Sequence, residues 1–185
     1  TATVKAASPV VKLWALDRAT FHETLKRTTF ERRREYLTYL DAVPLFRDSL
    51  DARTTSMLVD ALRKTTFEDG ETIVRPSDAY DDAFSKFYVI IDGTATVHVE
   101  NDTYGNDSTR QSGRDQEVNR LTKGDYFGEV SLIHKTSPTA TVVARGVVTA
   151  LTLDAESFHR MISGDVMETM SARVNSYAYA PNKVE

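Results

Sequence analysis

The chain has 185 residues, in which 23 Lys and Arg stand against 27 Asp and Glu, for a formal net charge of −4. This mildly acidic balance argues against nucleic acid as the main partner, and the absence of cysteine excludes disulfides, thiol nucleophiles and thiolate metal sites. No apolar run approaches the roughly 20 residues that a membrane-spanning helix needs, and no signal peptide opens the chain, so we expect a cytoplasmic protein without membrane association.

The first predicted element is a long helix from Arg18 to about Tyr39, where Pro and Gly are absent and apolar residues recur at helical spacing. Pro44 ends this helical region, because proline biases the residue before it away from helix. A second, shorter helix is predicted from Leu50 to Leu62, with its apolar residues on one side.

After Gly70 the hydrophobic period changes to two, which predicts the strands Thr72–Val74, Phe87–Ile91, Thr94–Val99, Thr139–Ala144 and Val147–Leu153. Asp92-Gly93 separates two of them and predicts a hairpin turn. The polar run Asn101–Gln116 predicts a surface loop, and a final helix is predicted from Ala155 to Asn175. Helices, short strands and then helices indicate an α+β fold, in which an antiparallel β-roll or jelly roll is flanked by helices.

Two segments of the chain repeat one another. Residues 1–6 read Thr-Ala-Thr-Val-Lys-Ala and residues 139–144 read Thr-Ala-Thr-Val-Val-Ala, while Phe21-His22 recurs as Phe158-His159. Matches in the same order at nearly the same offset indicate a tandem pair of like domains. We therefore expect residues 1–45 to be the tail of a preceding domain with a connecting helix, and residues 46–185 to be a second domain with a C-terminal lid helix. Residue 1 would then be a cut within a longer protein.

The stretch from Asp125 to Ala144 is the strongest candidate for a ligand site. Gly128 would allow the backbone to approach a ligand closely, and the helical turn after it has N–H groups that suit a hydroxyl or phosphate oxygen. Glu129 could accept two hydrogen bonds from a ribose diol, although a Glu at a helix start more often serves only the helix dipole.

This stretch closely resembles the phosphate-binding cassette of cyclic-nucleotide-binding domains, in which a Gly-Glu pair opens a short helix. Nearly the whole chain is similar to the regulatory subunit of cyclic AMP-dependent protein kinase, through Phe67-Glu68-Asp69-Gly70, Ile90-Ile91-Asp92-Gly93 and Asp125-Tyr126-Phe127-Gly128-Glu129. The resemblance implies a non-catalytic domain that binds a small purine ligand. It also implies a protein partner, the catalytic subunit of a protein kinase A-like kinase.

The resemblance further implies a set of ligand-binding residues. Gly128 and Glu129 correspond to the ribose-binding pair, and Tyr177 or Tyr179 would cap the base by stacking, unless these tyrosines belong to a frayed polar tail. The remaining positions flank the base, the ribose or the phosphate, and they are Val97, Leu121, Val130, Thr139 and Ala140.

The chain departs from the family at the residue that grips the phosphate. An ungapped match places Pro138 at the position of the usual Arg, and a match shifted by one residue places Thr139 there. The loop Arg75–Lys86 is longer and more acidic than the family's short Gly-rich connection, and it contains no Gly. Because the frame of the site is kept while its cation is lost, the expected ligand is an uncharged purine nucleoside (inosine, guanosine or adenosine) rather than cAMP. This resembles a divergent protist branch of these regulatory subunits.

Two alternatives stay open at this point. The chain could be a conventional cAMP-binding regulatory domain, or a ligand-free structural or interaction domain of the same fold. An enzyme is not expected, because four scattered histidines and no cysteine leave no catalytic triad or metal cluster. No cofactor is expected either.

Overall fold

The computed structural model describes residues 2–100, 115–162 and 164–179. Within these ranges, no helix is both long and apolar enough to span a bilayer. The chain divides into two compact units, one up to Glu35 and one from Tyr36 onward, so the division falls within the first helix, α1 (Arg18–Asp41). The predicted domain boundary after residue 45 stays a prediction.

Five further helices belong to the second unit, and two of them occupy the predicted final helix. They are α2 (Pro44–Ser49), α3 (Ala52–Ala61), α4 (Glu129–His134), α5 (Ala155–Met161) and α6 (Gly164–Tyr179). The prediction of one continuous helix from Ala155 to Asn175 is wrong. α5 ends at Met161, and α6 begins at Gly164, a residue type that is unfavourable inside a helix.

Six antiparallel strands form one sheet, which confirms the predicted β-roll with flanking helices. The central order is β1-β6-β3-β4, while β2 pairs with β6 and β5 pairs with β3. The strands are β1 (Arg63–Phe67), β2 (Thr72–Val74), β3 (Lys86–Glu100), β4 (Asp115–Leu121), β5 (Tyr126–Phe127) and β6 (Thr141–Asp154). Most of the predicted loop Asn101–Gln116 lies outside the described residues, and its last two residues begin β4.

The predicted hairpin at Asp92-Gly93 is wrong, because β3 continues through this pair. The register against β6 shifts on both sides of Asp92, so the pair forms a bulge within one strand. Gly93 has φ +89°, and a Cβ there would overlap the backbone oxygen of Val147 on β6. The two strands predicted on either side of Gly146 likewise form the single strand β6, in which the Gly146 N–H donates to Asp69 Oδ1 at 2.6 Å.

The buried residues form two clusters, and β3 contributes to both because its side chains alternate between faces. Phe87 and Val89 belong to the first, the helix-side cluster, which also contains buried residues of α1 to α3, α5 and α6. Ile90 belongs to the second, the strand cluster, and Tyr88 packs against it. The second face of β3 is the one that leads to the candidate site.

Asp154 fixes the start of α5 and gives a first testable prediction. Its Oδ1 accepts a hydrogen bond from the Ser157 N–H at 2.8 Å, as an N-cap residue does. Burial raises the pKa of the Asp154 carboxyl, but the hydrogen bonds from Ser157 outweigh burial and leave that pKa below its ordinary value of 3.8. The cap therefore stabilises the fold above that pH and is lost as the pH falls further.

We expect Asp154→Ala to lower the free energy of unfolding by about 1 kcal/mol at neutral pH. Asp154→Asn should keep most of the stabilisation from the cap, because asparagine is an equally good N-cap. Urea denaturation of the three proteins at pH 7 and at acidic pH measures both effects. The gap between wild type and Asp154→Ala should narrow in acid, and equal midpoints for all three proteins at pH 7 would contradict the capping role.

Candidate ligand-binding site

The cassette predicted from the sequence is present as a tight connection between β5 and α4. Gly128 precedes α4 with φ +90°, a left-handed conformation that favours glycine. A Cβ at this position would overlap the backbone oxygen of Lys86 on β3. Glycine is thus required both by the backbone angle and by the close approach of the neighbouring strand.

The residues after Gly128 turn inward. Glu129 is 3 % exposed and Leu132 is fully buried. Ser131 is also buried, and its hydroxyl donates to the Gly128 carbonyl at 3.1 Å. α4 ends at His134 and is followed by the C-cap residue Lys135, whose φ of 52° is left-handed. The short helix therefore has a fixed start, a fixed end and a buried carboxylate at its first residue.

A cavity of about 330 Å³ opens beside this connection. Its volume lies at the lower end of the range of small-molecule sites, about 300–1,000 Å³, and suits a ligand of nucleoside size. The lining comes from β2, the loop after it, the start of β3, and the segment around α4. The lining residues are Ile73, Val74, Asp78, Ala79, Phe84, Ser85, Lys86, Tyr88, Gly128, Ser131 and Pro138.

A second hollow of similar volume lies along α1. Its lining consists of Leu25, Lys26, Thr29, Phe30 and Arg33, all from one helix. Because a single helix face cannot surround a ligand, this hollow has no features of a binding site.

The lining of the cavity carries one positive and one negative side chain among the described residues. Pro138, predicted from the sequence to stand at the position of the family's phosphate-binding Arg, contributes an apolar side chain. Lys86 is exposed, and a lysine lacks the planar fork with which arginine pairs two phosphate oxygens. Asp78 is held in a turn, where its Oδ2 accepts from the Arg75 N–H at 2.9 Å.

Tyr88 lines the same cavity. Its ring stacks on Phe127, with centroids 4.6 Å apart and planes 2° from parallel. Burial raises the pKa of Tyr88, and the nearby Asp78 carboxylate raises that pKa further. The phenol is therefore protonated at neutral pH and can donate a hydrogen bond to a ligand.

The predicted site residues lie in four places. Gly128 lines the cavity, Glu129 is buried directly after it, and the half-buried Val130 follows. Thr139 is exposed and Ala140 is half-buried, between α4 and β6. Val97 on β3 and Leu121 on β4 belong to the strand cluster, together with Ile73, Val74 and Tyr88 of the cavity lining. Tyr177 and Tyr179 are within α6, but their side chains lie outside what the structure describes. The ligand-binding role of these nine residues stays a prediction.

Four residues of the cavity lining outside the cassette were not predicted from the sequence. Asp78, Ala79, Phe84 and Ser85 come from the loop between β2 and β3. The unusual length of this loop was a signal that the site differs here. The signal gave no indication of which side chains would face the cavity.

Comparison with known proteins identifies close counterparts of this fold. The chain is 35 % identical over 176 residues to a cAMP-dependent protein kinase regulatory subunit of Mucor circinelloides f. lusitanicus, covering 95 % of this chain and 37 % of that protein. The regulatory domain of Toxoplasma gondii PKA, co-crystallised with cAMP, is 31 % identical with a TM-score of 0.72, over 88 % of this chain and 57 % of the other. The chain thus spans less than two thirds of each.

Regulatory subunits of cAMP-independent kinases are also similar. One from Trypanosoma cruzi, bound to guanosine, is 28 % identical with a TM-score of 0.63, over 84 % of this chain and 50 % of the other. One from Trypanosoma brucei carries three substitutions, of which one is threonine to arginine, and is bound to cAMP in the A site. It is 28 % identical with a TM-score of 0.65, over 86 % of this chain and 53 % of the other.

The sequence pattern of the cyclic nucleotide-binding domain matches residues 64–165, which is more than half of the chain. The matched range contains the six-stranded sheet from its second residue on, the cassette and the whole cavity lining. The cyclic nucleotide-binding domain family is regulatory and has no catalytic activity, in agreement with the prediction that the chain is not an enzyme. The resemblance drawn from the sequence is confirmed, and the chain belongs to the cyclic nucleotide-binding domain family.

Proposed function

We propose that this chain is part of the regulatory subunit of a protein kinase A-like kinase, and that its β-roll binds an uncharged purine nucleoside. The observation that carries the proposal is the cavity beside Gly128, whose lining includes Pro138, the residue that the sequence match aligns with the family's phosphate-binding Arg. The glycine-dependent frame of a cyclic-nucleotide site is kept, and the strong cation is absent from its described lining.

The missing Arg decides between a charged and a neutral ligand. A charge-assisted hydrogen bond contributes about 1.5–3 kcal/mol, and an uncompensated buried charge costs about 3–5 kcal/mol. A phosphate in this cavity would therefore lose about one to three and a half decades of affinity relative to a site with Arg. The carboxylate of Asp78 in the same lining adds repulsion against a phosphate.

A nucleoside makes use of what remains in the site. Glu129 can accept hydrogen bonds from the ribose hydroxyls, and its burial strengthens such bonds because the surroundings are poorly polarisable. Tyr88 offers a neutral donor, while Val97 and Leu121 offer apolar surface to the base. Tyr177 or Tyr179 of α6 would cover the base from the C-terminal side.

Ligand binding is proposed to release or activate a kinase catalytic subunit. The similar proteins from Mucor, Toxoplasma and Trypanosoma are all regulatory parts of such kinases. In a population shift of this kind, the ligand favours one arrangement of the helices after the roll, and only its differential contacts with the two arrangements drive the change.

We expect calorimetry to find that inosine, guanosine or adenosine binds at least about 10-fold more tightly than cAMP, a difference of about 1.4 kcal/mol. Glu129→Gln should weaken nucleoside binding by about 100-fold, because two charge-assisted hydrogen bonds become neutral ones. Thr136→Ala, at an exposed position outside the cavity lining, is the control and should bind like the wild type.

A second candidate function is conventional cAMP binding. It is favoured by Lys86, the positively charged residue of the cavity lining, which could pair with a phosphate. Tighter binding of cAMP than of any nucleoside, together with its loss in Lys86→Ala, would favour that candidate and contradict ours. Binding of neither class would favour a ligand-free interaction domain.

A further inference from the structure

Phe84 stands apart from the other phenylalanines of the roll. It is 78 % exposed, whereas Phe87, Phe127 and Phe158 are 1 %, 6 % and 0 % exposed. It also lines the cavity. A single exposed phenylalanine is common on protein surfaces, as Phe30 on α1 illustrates at 66 % exposure. Phe30 lines only the hollow along the face of one helix, whereas Phe84 lines a cavity formed by several elements and lies in a loop that is held there.

The turn that carries Phe84 is closed by four hydrogen bonds. The Asp81 carbonyl accepts from the N–H groups of Phe84 at 3.1 Å and Ser85 at 2.7 Å. The Asp81 carboxylate accepts from the Ala83 N–H at 2.7 Å, and the Asp81 N–H donates to the Ser85 hydroxyl at 3.1 Å. These hydrogen bonds within the turn hold its backbone in one conformation, so the position of Phe84 is preorganised.

The same loop is fastened to α5. The Ala155 N–H donates to the Ser85 carbonyl at 3.1 Å. The Tyr80 hydroxyl donates to Asp82 Oδ1 at 2.6 Å and lies 3.3 Å from His159 Nε2. Because the Tyr80 proton goes to Asp82, the bond with His159 requires the tautomer with hydrogen on Nε2. These bonds fix the loop from both sides of Phe84.

Several other residues of the cavity lining are also apolar. Ile73, Val74, Ala79 and Pro138 line the cavity as well, and their side chains are apolar. A rigid aromatic ring, left exposed beside an apolar wall in a cavity of nucleoside size, has the properties of a surface that a planar ligand covers.

We propose that Phe84 is a ligand-binding residue, which packs its ring against one face of the bound purine nucleoside and closes the cavity from the β2–β3 loop. The inference rests on the proposed function and adds to it a contact from the roll itself. Recognition of the ligand then does not depend on the C-terminal tyrosines alone.

Phe84→Ala should weaken guanosine and inosine binding by about 10-fold in calorimetry, the effect of losing one aromatic contact to a base. Phe30→Ala is the matched control, since it removes another largely exposed ring, from α1, and it should bind like the wild type. The thermal midpoint should not change in Phe84→Ala, because the ring is mostly outside the core.

A fluorescence experiment tests the contact directly. Trp14 is the chain's single tryptophan, and Trp14→Phe with Phe84→Trp places one indole at the cavity. Its emission should change on addition of guanosine and saturate at the concentration that calorimetry gives. Normal guanosine binding by Phe84→Ala, or unchanged tryptophan emission at saturating guanosine, would overturn the proposed role of Phe84 and leave the proposed function intact. A wild-type protein that binds no nucleoside would overturn the proposed function, and this inference with it.

Discussion

Replacing Gly128 by alanine should weaken nucleoside binding by at least about 100-fold, which corresponds to about 2.7 kcal/mol. Two causes act together. The φ of +90° is strained for any residue with a Cβ, and that Cβ would overlap the backbone oxygen of Lys86, which cannot move without shifting β3. The connection between β5 and α4 would open, and both Glu129 and the cavity wall would lose their positions.

Gly146→Ala is the control for this prediction. Gly146 also has a positive φ, of +67°, but nothing lies within 4 Å of a Cβ built there, and it is absent from the cavity lining. It should lose some stability through backbone strain and keep its ligand affinity. Calorimetry and thermal denaturation of the two variants separate strain from the clash, and normal binding by Gly128→Ala would show that the cassette is not where the ligand lies.

Pro138→Arg should create affinity for cAMP, with a gain of about 10-fold to 100-fold from a fork-shaped cation that pairs two phosphate oxygens. The Trypanosoma brucei protein bound to cAMP carries an introduced arginine among its three substitutions. Adding Asp78→Asn should raise the affinity further, because it removes a carboxylate from the same cavity lining.

Thr139→Arg tests the shifted alignment, in which Thr139 rather than Pro138 stands at the position of the phosphate-binding Arg. Because Thr139 is exposed and does not line the cavity, we expect a smaller gain than in Pro138→Arg, and Thr136→Arg, also exposed and outside the lining, is the control that should leave cAMP binding unchanged. Calorimetry with cAMP and guanosine compares the single and double variants. A gain in Thr139→Arg alone would mean that the phosphate position is shifted by one residue. No gain in any variant would contradict the argument that the lost Arg decides the ligand.

The sequence predicted β2, β3, β6 and the cassette, where local pattern determines the structure, but it did not predict the strands β1, β4 and β5. Alternation marked β2 and both halves of β3, and the Gly-Glu pair marked the start of α4. It was wrong at Asp92-Gly93, because an Asp-Gly pair suits a hairpin turn and a bulge equally well. The long strand β6, which pairs with β3 on both sides of Asp92, decides in favour of the bulge.

The cavity was only half predictable for a similar reason. Gly128 and Pro138 belong to a contiguous motif, so their neighbourhood could be inferred from sequence. Phe84 and Asp78 face the cavity because their loop is tied to α5, and the Tyr80–His159 bond spans 79 residues of sequence. Contacts at that separation depend on the folded arrangement of the whole roll and leave no local pattern.

The attachment of the β2–β3 loop to α5 has a consequence for any macromolecule that binds α5. If binding of such a molecule breaks the Ser85–Ala155 or Tyr80–His159 hydrogen bond, the β2–β3 loop becomes less ordered and the affinity of the cavity for the nucleoside falls. Linkage makes the effect mutual, so the nucleoside must weaken the grip of that molecule by the same factor. Disengagement would then need no movement of α6, because two hydrogen bonds already join the occupied cavity to the helix that is gripped.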